Sequence, residues 1–416
     1  MPTTWRPARG ASESDRSVPM PLATDGVPVE AYAVALASVP GVGPRTLRAL
    51  LEAATARSAW ESLVDGRVRL ATSRRAGSAT ERAREIDVGA LWAAHVRAGI
   101  GVCLRGSPGY PRVLAADPEA PEVLFFLGNP AVLDSAPRVA IVGTRSATRY
   151  GLGVAAQLGC DLAAAGVVVV SGLALGIDGA AHEGAVAAWR TSCSIEPAAE
   201  PDAGGAAGRR PASAAPPVGV VAGSVATPYP RQHAGLWRRV AEAGAVLSES
   251  PIGVADLGWR FPLRNRIIAA IADVVVVVEC HLRGGSLHTV EAAAARAVPV
   301  GAVPGSVRSP ASAGTNALLA DGCFVVRDAS DVLVAVGLAS EAVASASSAS
   351  PGHRREQVDR LPAPTAAVIA ALGWDPTSLD EILEQTGLAL DVVCGALERL
   401  RAQGLAEGEG GWWTRK

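Results

Sequence analysis

The chain has 416 residues, 49% of them apolar and 19% charged, with a formal net charge of −2 and a pI near 6.3. That is enough apolar material for two or three cored domains, and it excludes a chain disordered throughout. Near-neutrality excludes a globally basic nucleic-acid binder, so any polyanion site has to be a local patch. Aromatics are only 4%, and every cation but Lys416 is arginine, the residue suited to planar, bidentate contacts with phosphate or carboxylate.

Residues 1–28 are polar and proline-bearing, and a disordered tail is expected there. They lack the apolar core and small-residue cleavage site of an export signal, so a cytoplasmic chain is expected. Residues 29–137 form a helical module and a connector. Two helical patterns flank Pro40-Gly41-Val42-Gly43, which resembles a helix-hairpin-helix (a SAM-like module). Its amides can meet a phosphate, or the hairpin can simply pack; both readings are open.

From residue 138 the texture changes. VAIVG, VVVVSG, VGVVAG, AVLSE, DVVVVVE and VPVGAVPG are short β-branched runs separated by helical patterns. Continuous apolar runs alternating with helices predict a parallel sheet covered on both faces, so residues 138–338 read as an α/β, Rossmann-like doubly wound domain. The stretch Ile267–Val278, broken by Asp273, is far short of the roughly 20 residues of a membrane span, and no membrane contact is expected. Residues 192–217, rich in Pro, Gly and Ala, read as a mobile surface insertion, and 339–358 as a linker. Residues 359–416 show three helical patterns and a terminal hairpin, the pattern of a winged helix. Six cysteines without a CxxC pair predict reduced, mostly buried thiols and no zinc site.

In an open parallel sheet, ligands bind beyond the carboxyl ends of the strands. The loops there read Gly143-Thr144-Arg145, Ser171-Gly172 through Gly176, Phe261 to Arg266, and Arg283 to Thr289. They are rich in glycine, small hydroxyls and arginine. No acidic residue lies between Asp134 and Asp161, where Arg138, Arg145 and Arg149 stand, nor between Asp256 and Asp273, where Arg260, Arg264 and Arg266 stand. Two acid-free arginine segments meeting at one rim predict a basic pocket for a polyanion, with Asp178 as a helix cap. Tyr229 and Phe261 are candidate stacking faces. A dinucleotide reading of Gly151-x-Gly153 fails, because the motif starts eight residues past its strand and lacks the ribose-binding acid about 20 residues on. Asp178 and His182 share a helix face, but the spacing demands no metal, and no cofactor is expected.

Taken together, VAIVGTR, SGLALGIDGAAH, TPYPRQH, FPLRNRIIAAIAD, VVVVVECHLRGGSLHT, AVPG and GTNALLADG resemble, in order, the motifs of the DNA-processing protein A family (DprA/Smf). The resemblance implies a non-enzymatic protein that binds single-stranded DNA in natural transformation (competence), protects the incoming strand and loads the RecA recombinase. It also implies a homodimer formed through the Rossmann-like domain. By position it assigns DNA contacts to Gly143, Thr144 and Arg145, to Ser171, Gly172 and Gly176, to Phe261, Arg264, Asn265 and Arg266, and to Gly285, Ser286 and Thr289. The chain departs from the family at Leu175, where an arginine is usual, and at Gly284, which replaces the serine opening the last loop. The competing class is a nucleoside-monophosphate phosphoribohydrolase, whose PGGxGTxxE signature survives in Arg283–Glu291 only as two glycines and the final glutamate.

Overall fold

The computed structural model describes residues 26–68, 79–194, 214–254, 258–338, 361–373 and 376–415. The expected tail up to residue 25, positions 195–213 of the expected insertion and the expected linker 339–358 lie outside the described residues. The chain forms two compact units, a larger one within residues 26–336 and a smaller one within residues 361–415.

The larger unit opens with α1 (Val29–Ser38), α2 (Pro44–Ala53), α3 (Ala56–Val64), α4 (Ala79–Arg84) and α5 (Val88–Arg97). Helix starts follow local chemistry: Thr55 caps α3 by accepting from Ser58 N at 3.4 Å, and Asp87 caps α5 by accepting from Ala90 N at 2.9 Å. Next come β1 (Gly101–Leu104), α6 (Arg112–Ala115) and β2 (Val123–Gly128). The α/β succession is β3 (Arg138–Val142), α7 (Arg149–Ala164), β4 (Val168–Ser171), α8 (Ile177–Ser194), β5 (Val218–Val220), α9 (Ala234–Ala243) and β6 (Ala245–Ser248). It continues through α10 (Arg260–Ile271), β7 (Val274–Val277), α11 (Leu287–Ala294), β8 (Val300–Ala302), α12 (Ala313–Ala320), β9 (Phe324–Val325) and α13 (Ala329–Ala335).

The nine strands form one sheet in the order β1-β2-β6-β5-β4-β3-β7-β8-β9. From β6 to β9 every pairing is parallel; β2 joins β6 antiparallel, and β1 joins β2 antiparallel. Every residue of β4, β6 and β7 is buried, which is why these strands read as unbroken apolar runs. The segment read as a connector thus supplies two strands. Its helical neighbours share the sheet's core, where Tyr32, Leu36 and Trp60 cluster with Phe125 and Val246. The chain steps from β3 outward to β6, then returns to β7 on the other side of β3, so the strand order reverses between β3 and β7.

Arginines also hold the module to the sheet. The turn Asp117–Glu122 receives Arg48 and Arg105 on Glu122 at 2.8 and 3.3 Å, and Arg296 on Asp117 at 2.6 Å. His95 of α5 is fully buried, donates Nδ1–H to Leu91 O at 2.9 Å and accepts from Ile252 N at 3.1 Å. That pairing requires the neutral ring, and burial lowers its pKa.

The smaller unit packs helices Ala363–Ala371, Leu379–Thr386 and Leu390–Ala402 around Val368, Ile382, Val393 and Leu397. A three-stranded sheet completes it, with β10 (Thr377–Ser378) and β11 (Ala406–Glu409) flanking β12 (Trp412–Arg415). Ser378 and Glu381 form a reciprocal capping box, and Gly387 ends the helix at φ 62°. This is a winged helix. Asp391 and Glu398 offset Arg399 and Arg401 on its last helix, and Asp380, Glu381 and Glu384 on the preceding one face no cation of that helix. Among the described residues, no helix is long and apolar enough to cross a membrane.

His182, fully buried in α8, donates Nε2–H to Val218 O at 3.1 Å, and burial lowers its pKa from 6.5 to about 4. The folded value lies below the unfolded one, so the neutral ring stabilises the fold above pH 6.5, and that contribution fades as pH falls toward 4. At pH 5 the loss should be about 2 kcal/mol. Urea midpoints of His182→Gln and the parent at pH 7.5 and 5.0 check this: the parent should lose more stability between the two pH values than the variant.

Candidate nucleic-acid interface

At the carboxyl edge of the sheet, the expected site residues separate into a buried layer and an exposed one. Arg264 is only 6% exposed, and its guanidinium faces inward. It donates to Gly172 O at 2.8 Å, to Val220 O, and through Nε to Asn265 Oδ1 at 3.1 Å, so it ties the ends of β4 and β5 to α10. Asp178, in the first turn of α8, accepts from Gly172 N at 3.0 Å. Burial pushes its carboxyl up, opposed by Arg264 and by the amides of Gly172 and Ala174. The loop amides expected to meet an external anion are therefore engaged by an internal carboxylate.

Other expected contacts are also internal. Ser171 Oγ donates to Ile141 O at 2.5 Å, Ser286 Oγ to Cys280 Sγ at 3.0 Å, and Asn265 Nδ2 to Gly285 O at 3.3 Å. Thr289 is 1% exposed. Arg266 pairs with Glu249, both side chains about one-eighth exposed, and also donates to Glu119 O. Burial pushes the Glu249 carboxyl up, with Arg266 the strongest opposing influence. Gly143 and Gly176 let the first two loops and the Glu279 carbonyl approach one another. Arg138 is not at this edge at all: it starts β3, at the opposite end of the strand, and pairs with Asp273 at 2.6 Å. The rim inferred from two acid-free segments is accordingly smaller than the arginine count suggested.

Two glycines have specific reasons. A Cβ on Gly151 would collide with the carboxylate of Glu279, a residue only 1% exposed just past β7. The protein's own carboxylate thus packs on the first turn of α7, beside the β3/β7 reversal where a Rossmann fold would seat a cofactor phosphate. A Cβ on Gly284 would lie 2.6 Å from Cys280 Sγ, so the thiol takes the room that the family's serine would need.

The exposed layer is aromatic and cationic. Arg145, on the loop after β3, is exposed and forms no ion pair among the described residues; its guanidinium lies over the Phe261 ring, 4.7 Å from the centroid. Phe261 in turn meets Tyr229, with centroids 5.9 Å apart and planes at 48°. Tyr229 is 46% exposed, more open than a packing role requires. Thr144 Oγ1 accepts from Ser146 N at 3.2 Å and shapes the Arg145 turn. Gly285 is exposed, with open space where a side chain would be. Exposed Arg231, Arg283 and Arg308 also lie on loops that follow parallel strands, as does Leu175. Sequence reading named Arg283 only as the start of its loop and passed over Arg231 and Arg308, although their positions after β5 and β8 are visible in the chain. Guanidinium groups next to open aromatic faces can pair phosphates and stack unpaired bases. No group of three potential metal ligands occurs among the described residues.

The two layers respond differently to substitution. Arg264→Met leaves two strand carbonyls and Asp178 uncompensated and should cost about 3–5 kcal/mol of stability. Arg145→Ala should change stability by about 0.5 kcal/mol or less. Chemical denaturation of both variants checks the assignment.

Comparison with known proteins adds a second line of support. Residues 101–199 and 206–337 match the family model of DNA recombination-mediator protein A, and residues 353–411 match the DprA winged helix domain. The chain is 40% identical to the putative DNA processing protein DprA of Mycobacterium tuberculosis over 297 residues, 71% of this chain and 68% of that one. It is 33% identical to DNA processing protein DprA of Bacillus subtilis over 240 residues, 58% of this chain and 72% of the relative. The solved DprA of Streptococcus pneumoniae superposes with a TM-score of 0.57 at 27% identity, covering 74% of this chain and 96% of that one. The chain belongs to the DprA/Smf family of DNA-processing proteins.

Proposed function

We propose that this chain holds single-stranded DNA along the carboxyl edge of its sheet, protects the strand during transformation and passes it to the RecA recombinase. It does so as a binding protein, a homodimer, and not as an enzyme. The observation that carries the reading is the exposed stack of Arg145 on Phe261 beside Tyr229. A guanidinium on an aromatic face is positioned for a phosphate while the neighbouring ring accepts a base, and such stacking needs bases freed from a duplex. Membership of the DprA/Smf family supports the DNA-processing part of the reading.

Two features favour binding over catalysis. The phosphate position at the first turn of α7 is blocked by Glu279, which counts against a bound dinucleotide. The glutamate of the phosphoribohydrolase-like segment, Glu291, is 74% exposed and pairs with His288 at 3.3 Å, on the open face of α11. The balanced charge of the last helix of the winged helix, and the acidic helix before it, support a single-strand site on the larger unit rather than duplex readout by the terminal helix.

Salt-dependent binding to oligo-dT separates electrostatic from stacking interactions. Arg145→Ala should reduce the slope of log K against log salt by about 0.7 for each phosphate that is no longer neutralised. Tyr229→Ala should leave the slope unchanged and weaken binding by about 1–3 kcal/mol at every salt concentration. Fluorescence anisotropy over a salt series reads both; an unchanged slope and affinity for Arg145→Ala would remove that residue from the site.

A further inference from the structure

Next to the Arg145–Phe261–Tyr229 stack lies a cleft whose lining includes, of the expected contacts, the inward-turned Arg264. One side is the α1–α2 turn, with Val42, Gly43 and Pro44; the other is the start of α10, with Trp259 and Arg260. Glu122 and Glu249 also line it. We infer that this cleft receives one unstacked nucleobase of the bound strand, with the Trp259 indole as its stacking partner. The inference rests on the single-strand reading above and adds where one base goes.

Continuity makes the first argument. Trp259, Arg260 and Phe261 are consecutive, so the cleft and the exposed stack share the first turn of α10. Trp259 is 54% exposed, yet it is not loose: the Arg260 guanidinium lies over its ring at 4.5 Å. Arg260 in turn donates to Ser250 Oγ at 3.0 Å, and Ser250 Oγ donates to Ala222 O at 2.9 Å. An open indole braced through three residues to the end of β5 is a prepared stacking surface, since little side-chain freedom remains to be lost on binding.

Charge decides which part of a nucleotide fits. Glu122 is already paired with Arg48 and Arg105, and Glu249 with Arg266, while Arg264, which also lines the cleft, is turned onto the carbonyls of Gly172 and Val220. Carboxylates there disfavour a phosphate but can accept hydrogen bonds from a base's ring and amino N–H groups. The hairpin agrees. Pro44 opens α2 and has no N–H, while Val42 N is engaged with Val39 O at 3.0 Å. At these two positions the turn offers the cleft apolar surface, and neither supplies a free amide to a phosphate.

Photocross-linking of the full chain tests this. A dT oligonucleotide carrying 5-iododeoxyuridine at one position should give adducts on Trp259 or on the peptide spanning residues 40–45, mapped by mass spectrometry. Trp259→Ala should weaken oligo-dT binding about tenfold with an unchanged salt slope, and Trp259→Phe, which keeps a ring, should restore most of it. Adducts confined to Phe261 and Tyr229, with parental affinity for Trp259→Ala, would overturn the base-in-cleft proposal and leave the single-strand reading standing. Absence of oligo-dT binding by the parent chain would overturn both.

Discussion

A guanidinium buried beneath the carboxyl edge of the sheet organises everything above it. Taking an arginine out of water costs several kcal/mol unless its donors and charge are met. Arg264 meets that cost with the carbonyls of Gly172 and Val220 and with the nearby Asp178 carboxylate, which itself holds the Gly172 amide. The ends of β4 and β5, the first turn of α8 and the start of α10 are thereby fixed to one another. Polar groups that a phosphate-binding loop would leave open are consumed in building the platform. What remains for a ligand is the outer layer, in which side chains do the recognising: a guanidinium, two aromatic rings and scattered arginines on neighbouring loops.

Glu279 applies the same logic at the strand-order reversal. A carboxylate against the first turn of α7 occupies the place where related architectures bind a ligand's phosphate. The fold keeps the doubly wound plan while filling its usual cofactor position internally. The family departures fit this picture of a rebuilt edge. Leu175, where an arginine is usual, leaves an exposed apolar side chain, and Gly284 gives its space to the Cys280 thiol.

Much of the fold was legible because burial on both faces leaves an unmistakable trace: Val167–Ser171 and Val274–Val278 can hardly be anything but interior strands. The antiparallel strands β1 and β2 were not legible, since Gly101–Leu104 is only four residues long and Val123–Gly128 sits among prolines. The site was legible in its motifs but not in its layering. Counting acids along the chain cannot see Asp178, which lies 86 positions before Arg264 yet is its neighbour in space. Nor does it see that five residues of β3 carry Arg138 to the far edge from Gly143, about 17 Å at a strand's rise. The stack of Arg145, Phe261 and Tyr229 joins two loops and the first turn of α10, far apart in sequence, and only the sheet order brings them together.

The central claim is that the carboxyl edge has a fixed inner layer and a ligand-binding outer one. Hydrogen exchange of the full chain with and without saturating oligo-dT tests it most directly. New protection should appear in peptides covering residues 143–147, 226–232 and 258–262, while Gly172 and the start of α8, already bonded internally, should be slow in both states. Protection centred on the loop from Gly172 to Gly176, or at the β3 end that carries Arg138, with none around Arg145 and Phe261, would contradict the account.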